Sequence, residues 1–140
     1  MCKDQSFIDF LASKFATLKR FGVEGLNTAT VALEELVESA ANNGAENFVL
    51  GMAHRGRLNT LHCVFDKPAQ QIFKEFLEKS EEEEEDLGWA SGDVKYHLGH
   101  STIKKFGDKS INLSIMPNPS HLETVNPIVM GHVRANEDFF

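Results

Sequence analysis

The sequence is poor in several of the residues that mark specialised classes of protein. It contains two cysteines, four prolines and ten glycines among 140 residues. Cys2 and Cys63 are too few for a disulfide scaffold, and they suit a reducing compartment. No apolar run reaches the roughly 18 residues that a membrane-spanning helix needs, and no signal-peptide pattern opens the chain. With 41% hydrophobic and 25% charged residues, the composition predicts one soluble globular domain.

Basic residues are also scarce. Fourteen lysines and arginines face 21 acidic residues, which gives a formal net charge of −7 at neutral pH. A dedicated nucleic-acid-binding protein needs clustered basic residues, so we expect no nucleic-acid partner. Six of the acids lie in one run at 81–86, and this run predicts a solvated loop over about 81–91. The rest of the chain is close to neutral and has room for local basic sites.

The hydrophobic pattern predicts an α/β fold. Helical spacing of apolar residues predicts five helices. The first covers the first twenty residues, with Ser6 as its cap. The others cover about 28–42, about 58–65, Pro68 to the acidic run, and Pro127 to about Asn136. Short apolar or alternating runs predict strands at 48–52, 94–97 and 111–116. Helices that alternate with apolar strands indicate a parallel or mostly parallel sheet, although so few strands cannot close one alone.

The first candidate site follows the predicted strand at 48–52. His54, Arg55 and Arg57 lie between that strand and the start of a helix, where open α/β sheets place their ligands. Two arginines, a histidine and a helix N-terminus favour an anion such as a phosphate or a carboxylate. The alternative is that both arginines pair with surface acids.

Two later segments also combine reactive side chains with strand ends. In the first, His97, His100 and Ser101 surround the end of a short strand, where histidine can transfer protons near neutral pH. Zinc is disfavoured there because no further histidine or cysteine stands at ligand spacing. In the second, Ser120 and Glu123 have the spacing of a helix capping box, and the same amides could instead bind a ligand.

Taken together, these motifs resemble one enzyme family. The matching segments, in chain order, are KRFxxEG at Lys19 to Gly25, HRGRLN at His54 to Asn59, GDVKYHLG at Gly92 to Gly99, and NPSHLE at Asn118 to Glu123. In this order they resemble the E1 component of 2-oxoglutarate dehydrogenase, and the resemblance extends from about Phe7 onward. Cys63 lies inside a predicted helix and is expected to be a core residue rather than a nucleophile.

The resemblance implies an enzyme that uses thiamine diphosphate and Mg²⁺ to decarboxylate 2-oxoglutarate. It passes the acyl group to the lipoyl domain of the E2 succinyltransferase. Family members are several times longer, so residues 1–140 would be part of the first cofactor-binding domain, a three-layer α/β domain. The metal ligands would lie outside this chain, and we expect the chain alone to be inactive. The resemblance further implies an E1 homodimer, in the mitochondrial matrix of eukaryotes or the cytoplasm of bacteria.

The resemblance also assigns roles to individual residues. Arg55 matches an arginine that holds the cofactor, and Ser120 and Leu122 match cofactor contacts in the last motif. His54, His97 and Ser101 match positions around the substrate, and His97 matches best the position that receives a substrate carboxylate.

Two other functions are also compatible with these motifs. The segment from Met116 to Pro127 resembles the 2-oxoadipate branch of the family as well, whereas KYHLG at Lys95 to Gly99 favours 2-oxoglutarate. The second alternative is a truncated, non-catalytic interaction module that keeps the fold and binds an E1 chain or another subunit.

Overall fold

The computed structural model describes residues 2–82, 97–117 and 122–139. Within these ranges the chain forms five helices and three strands. In chain order they are α1 (Cys2–Lys14), α2 (Asn27–Asn42), β1 (Asn47–Leu50), α3 (Arg57–Cys63), α4 (Ala69–Glu82), β2 (His100–Phe106), β3 (Lys109–Ile115) and α5 (Leu122–Phe139). The predicted α/β class is therefore confirmed.

The three strands form a mixed sheet in the order β1-β3-β2. β1 pairs with β3 in parallel, with Phe48 opposite Leu113. β2 pairs with β3 antiparallel, with Ser101 opposite Ser114. Because β1 and β3 are parallel, their carboxyl ends lie at the same edge of the sheet.

Helices cover both faces of the sheet. On one face, Ile111, Leu113 and Ile115 of β3 are buried in a core shared with apolar residues of α1, α2, α3 and α4. On the other face, Val49 of β1 and Val133 of α5 line a common cleft. The described chain thus has three layers, which are helices, sheet and helix. The carboxyl ends of β1 and β3 lie at one edge of this sheet.

Helix α1 is shorter than its pattern predicted. It ends at Lys14, although Phe15 and Leu18 beyond it still pack against the core. The capping role expected of Ser6 is wrong because this residue lies inside the helix. The apolar spacing correctly predicted that Phe15 and Leu18 pack against the core, but such packing does not require a helical backbone.

The predicted start of the last helix is also wrong. Helix α5 begins at Leu122, five residues before Pro127, which therefore lies inside the helix. A proline there removes one main-chain hydrogen bond, the one to the carbonyl of Glu123. Eighteen helical residues tolerate this loss, so the proline marks no boundary.

Strand β2 was not predicted. The expected strand at 94–97 lies mostly outside the described residues, and His97, the one residue of it that they include, is not in a strand. Most of the acidic run is also outside them, although Glu81 and Glu82 end α4. Among the described helices, none combines the length and the apolar character needed to cross a membrane.

Candidate functional site

The site lies in the loop that joins β1 to α3. Gly56 has a φ of 69°, in the left-handed region, and its N–H donates to the carbonyl of Phe21 over 2.7 Å. A Cβ at Gly56 would lie 2.9 Å from Cγ2 of Val23. Both the positive φ and the lack of space for a Cβ therefore require glycine at position 56. The hydrogen bond of its N–H holds the loop against the segment that precedes α2.

The side chain of His54 in this loop contacts that of His97, which lies before β2. Their Nε2 atoms are 2.8 Å apart, and their ring centroids are 4.9 Å apart, although 43 residues separate them in sequence. At this distance one Nε2 carries the shared proton and donates it, while the other accepts. Gly99, two residues after His97, allows this segment to lie close to the end of β3, because a Cβ there would lie 3.0 Å from the carbonyl oxygen of Ile115.

The surroundings of the histidine pair are positively charged. Burial lowers the pKa of His54 below its usual value of 6.5, and the nearby charges of His97, Arg57 and Lys19 lower it further. Neutral His54 is therefore favoured at pH 7. A group of cationic side chains around a neutral imidazole disfavours a metal cation and favours an anion.

An aromatic side chain packs against His54 of this pair. The ring of Phe21 stacks on His54 with centroids 4.7 Å apart, and Phe21 has a φ of 45°. Phe21 had no predicted role. Its position directly before Gly22, inside the first matching motif, was the signal that could have identified it.

Arg57 is buried, with 1% of its surface exposed. Its Nη2 donates to the carbonyl of Leu98 over 2.9 Å and to the carbonyl of Met116 over 2.8 Å. Burial lowers its pKa to about 10, which still leaves it charged at neutral pH. These two described contacts are to main-chain carbonyls and not to surface acids.

Arg55 lies on the exposed side of the same loop. Its Nη2 donates to the main-chain carbonyl of Glu24. Because this partner is neutral, the contact does not neutralise the positive charge of the guanidinium. Its predicted role in holding a cofactor stays a prediction.

The other predicted site residues are Ser101, Leu122 and Ser120. Ser101 is exposed in β2, and its Oγ is 3.0 Å from Oγ of Ser114. Leu122 is the first residue of α5 and is 53% exposed. Ser120 lies outside the described residues. The predicted roles of these three residues remain predictions.

Two further candidates have structural environments. Cys63 is buried in α3, as expected, and burial together with Asp4 raises the pKa of its thiol to about 11. His100 is on the core side of β2, and burial with the positive charge of Lys67 lowers its pKa. Over residues 2–82, 97–117 and 122–139, no cluster of three His, Cys, Asp or Glu side chains is placed to hold a metal ion.

The fold and these residues together define the class of protein to which the chain belongs. The chain is an α/β segment with a histidine pair and two arginines at the carboxyl end of its parallel strands. No family model matches it. It is 48% identical over 134 residues to the 2-oxoglutarate dehydrogenase E1 component of Rickettsia felis, and 46% identical over 134 residues to that of Brucella ovis. It is also 44% identical over 139 residues to a rat protein named 2-oxoglutarate dehydrogenase-like, mitochondrial.

These alignments include nearly all of the chain and a small part of each relative. They cover 96% of the chain and 14% of the Rickettsia felis protein, 96% and 13% for Brucella ovis, and 98% and 13% for the rat protein. The chain is therefore homologous to one segment of the 2-oxoglutarate dehydrogenase E1 component. The resemblance seen in its motifs is confirmed.

Proposed function

We propose that this chain supplies part of the active site of a thiamine-diphosphate-dependent 2-oxo acid dehydrogenase, and that the His54–His97 pair receives the carboxylate of the substrate. The observation that carries the proposal is the 2.8 Å approach of the two Nε2 atoms. Two motifs far apart in sequence thereby form one polar site, and their relatives are E1 components.

The charges around the pair explain how a carboxylate would be held. Burial lowers the pKa of His54 most, the charges of His97, Arg57 and Lys19 lower it further, and an incoming anion offsets this positive charge. The anion therefore favours protonation of His54 as the acid binds, so that its imidazole can donate to a carboxylate oxygen. The same proton is available to a reacting oxygen, since histidine exchanges protons near neutral pH.

The residues of the loop also fit a diphosphate. Arg55 presents an exposed guanidinium whose contact is a neutral carbonyl, and guanidinium groups bind phosphate through paired hydrogen bonds. Leu122 opens α5, and the main-chain amides of a helix N-terminus favour anions. We assign cofactor contacts to Arg55, Ser120 and Leu122, with the Mg²⁺ ligands outside this chain. When bound, thiamine diphosphate supplies the carbanion stabilisation that decarboxylation needs.

The preferred substrate in this proposal is 2-oxoglutarate, with 2-oxoadipate as the alternative. Transfer of the acyl group to the lipoyl domain of an E2 succinyltransferase, and pairing of two E1 chains, belong to the same proposal. The relatives include bacterial proteins and one that is named mitochondrial. The proposed location is therefore the mitochondrial matrix in a eukaryote or the cytoplasm in a bacterium.

The test uses a complete E1 polypeptide that carries residues 1–140 as its segment. Arg55→Ala should raise the Kd for thiamine diphosphate about tenfold, equivalent to about 1.4 kcal/mol, because one charge-assisted contact is lost. His97→Asn should instead raise KM for the 2-oxo acid and leave cofactor binding unchanged. Calorimetry and steady-state kinetics with both 2-oxo acids measure these effects.

The matched control is Arg134→Ala, which removes an exposed arginine paired with Asp138 on α5. It should change neither constant. If His97→Asn left KM for both acids unaltered, the histidine pair would not be the substrate site. Faster turnover of 2-oxoadipate than of 2-oxoglutarate would reverse the order of the two substrates.

A further inference from the structure

Arg57 connects the two segments that carry the histidine pair. Its main-chain N–H donates to the carbonyl of His54 over 3.0 Å. Its side chain donates to the carbonyl of Leu98, the residue that follows His97. One buried residue therefore holds the main chain on both sides of the 2.8 Å contact.

The same guanidinium reaches a third segment. Nη2 also donates to the carbonyl of Met116, directly after β3 and shortly before the motif at 118–123. Residues of two motifs shared with the E1 family, and the residue that follows β3, thus meet at one side chain. A buried charge is costly unless hydrogen bonds compensate for it, and these two carbonyls provide such bonds.

We propose that Arg57 is a positioning residue that sets the distance between His54 and His97. It need not touch the substrate, and it acts through the main chain at His54 and Leu98. Lysine replaces it poorly, because its side chain is one bond shorter and lacks the planar guanidinium. The importance of this role for catalysis rests on the function proposed for the histidine pair, whereas the geometric role does not.

The test measures the pair directly by NMR in the 140-residue chain with isotope-labelled histidine rings. The wild-type chain should give a nuclear Overhauser effect between ring protons of His54 and His97. Arg57→Gln should reduce its intensity at least fivefold, because the Leu98 segment loses its anchor. Arg57→Lys should reduce it less. Tm is recorded for each variant, so that displacement of the rings is separated from loss of the fold.

Lys104→Gln is the matched control. Lys104 is also a cation with little exposure, 11% of its side chain, and it donates to the carbonyl of Val64 and pairs with Glu34, but it lies farther along β2. This substitution should lower Tm and leave the ring contact intact. A retained contact in folded Arg57→Gln and Arg57→Lys chains overturns the proposal, and so does an equal loss in Lys104→Gln. If neither Arg57 variant folds, Arg57 serves stability alone and the proposal is wrong.

This experiment is separate from the test of function. A lost ring contact together with an unchanged KM in His97→Asn would leave Arg57 as the positioning residue of a pair that does not bind substrate. The reverse result, a preserved contact with a raised KM, would retain the substrate site and remove the role of Arg57.

Discussion

His54 and His100 make the stability of the chain depend on pH. Both have a pKa below the usual 6.5 in the folded state, chiefly because burial disfavours the charged imidazole. As pH falls below about 6.5, the unfolded chain binds protons first, so the free energy of unfolding decreases. The stabilisation is complete above pH 6.5 and is lost as pH falls through the folded-state pKa values.

Urea unfolding at pH 7.5, 6.5 and 5.5 measures this dependence. We expect His100→Gln and His54→Gln each to flatten the fall in the free energy of unfolding between pH 6.5 and 5.5. His132→Gln serves as control, because His132 is exposed on α5. Identical pH slopes in the wild type and all three variants would contradict the assignment.

Sequence reasoning could identify the site residues singly but not their arrangement. The motifs named His54 and His97, and the nearby strand ends predicted that they would bind an anion. The two histidines are 43 residues apart in sequence, and this separation does not predict that their Nε2 atoms lie 2.8 Å apart. The contact depends on how β1 and β3 pair. In the pair Arg55 and Arg57, spacing alone could not say which guanidinium is buried.

Among the elements, α5 depends on a glycine in the strand-end loop that it covers. A Cβ at Gly51 would lie 2.6 Å from Cγ1 of Val125 and 2.8 Å from Cγ2 of Val129. Since valine rotamers are restricted, α5 must move to admit the methyl group. Gly51→Ala should therefore lower the free energy of unfolding by about 1–3 kcal/mol, the usual cost of overpacking.

A double-mutant cycle measured by chemical denaturation tests this contact. Val125→Ala removes the closest methyl group and should recover part of the loss when combined with Gly51→Ala. The matched control combines Gly51→Ala with Val31→Ala, since Val31 lies on the exposed side of α2. Additive losses in both pairs would show that α5 does not press on Gly51.

The success of element prediction followed the strength of each apolar pattern. Helix α2 and strand β3 have clear periods of apolar residues, and both were predicted closely. Strand β2 has lysines at 104 and 105, and Lys104 lies on the core side, where it binds Glu34 and the carbonyl of Val64. Those partners come from tertiary structure, so the sequence pattern could not indicate the strand.

At the scale of the whole molecule, we predict that residues 1–140 alone do not bind thiamine diphosphate tightly. The chain offers Arg55 and a helix N-terminus, but the proposed Mg²⁺ ligands lie outside it. A few charge-assisted hydrogen bonds of about 1.5–3 kcal/mol each, less the cost of association, correspond to a Kd in the millimolar range.

Calorimetric titration of the chain with thiamine diphosphate and Mg²⁺ measures this affinity. Arg55→Ala should weaken it further, and Arg134→Ala should leave it unchanged. A micromolar Kd for the wild-type chain would contradict the prediction and would indicate that this segment contains a complete cofactor site.

The order of strands in the sheet has a consequence for how the chain folds. A two-residue turn joins β2 to β3, so this hairpin closes a very short loop and can form within microseconds. The pairing of β1 with β3 instead encloses the whole segment between Leu50 and Lys109, whose closure costs more chain entropy. We therefore expect β1 to join the hairpin late. His54 follows β1 and His97 precedes β2, so the two imidazoles come together only in that final, slow step.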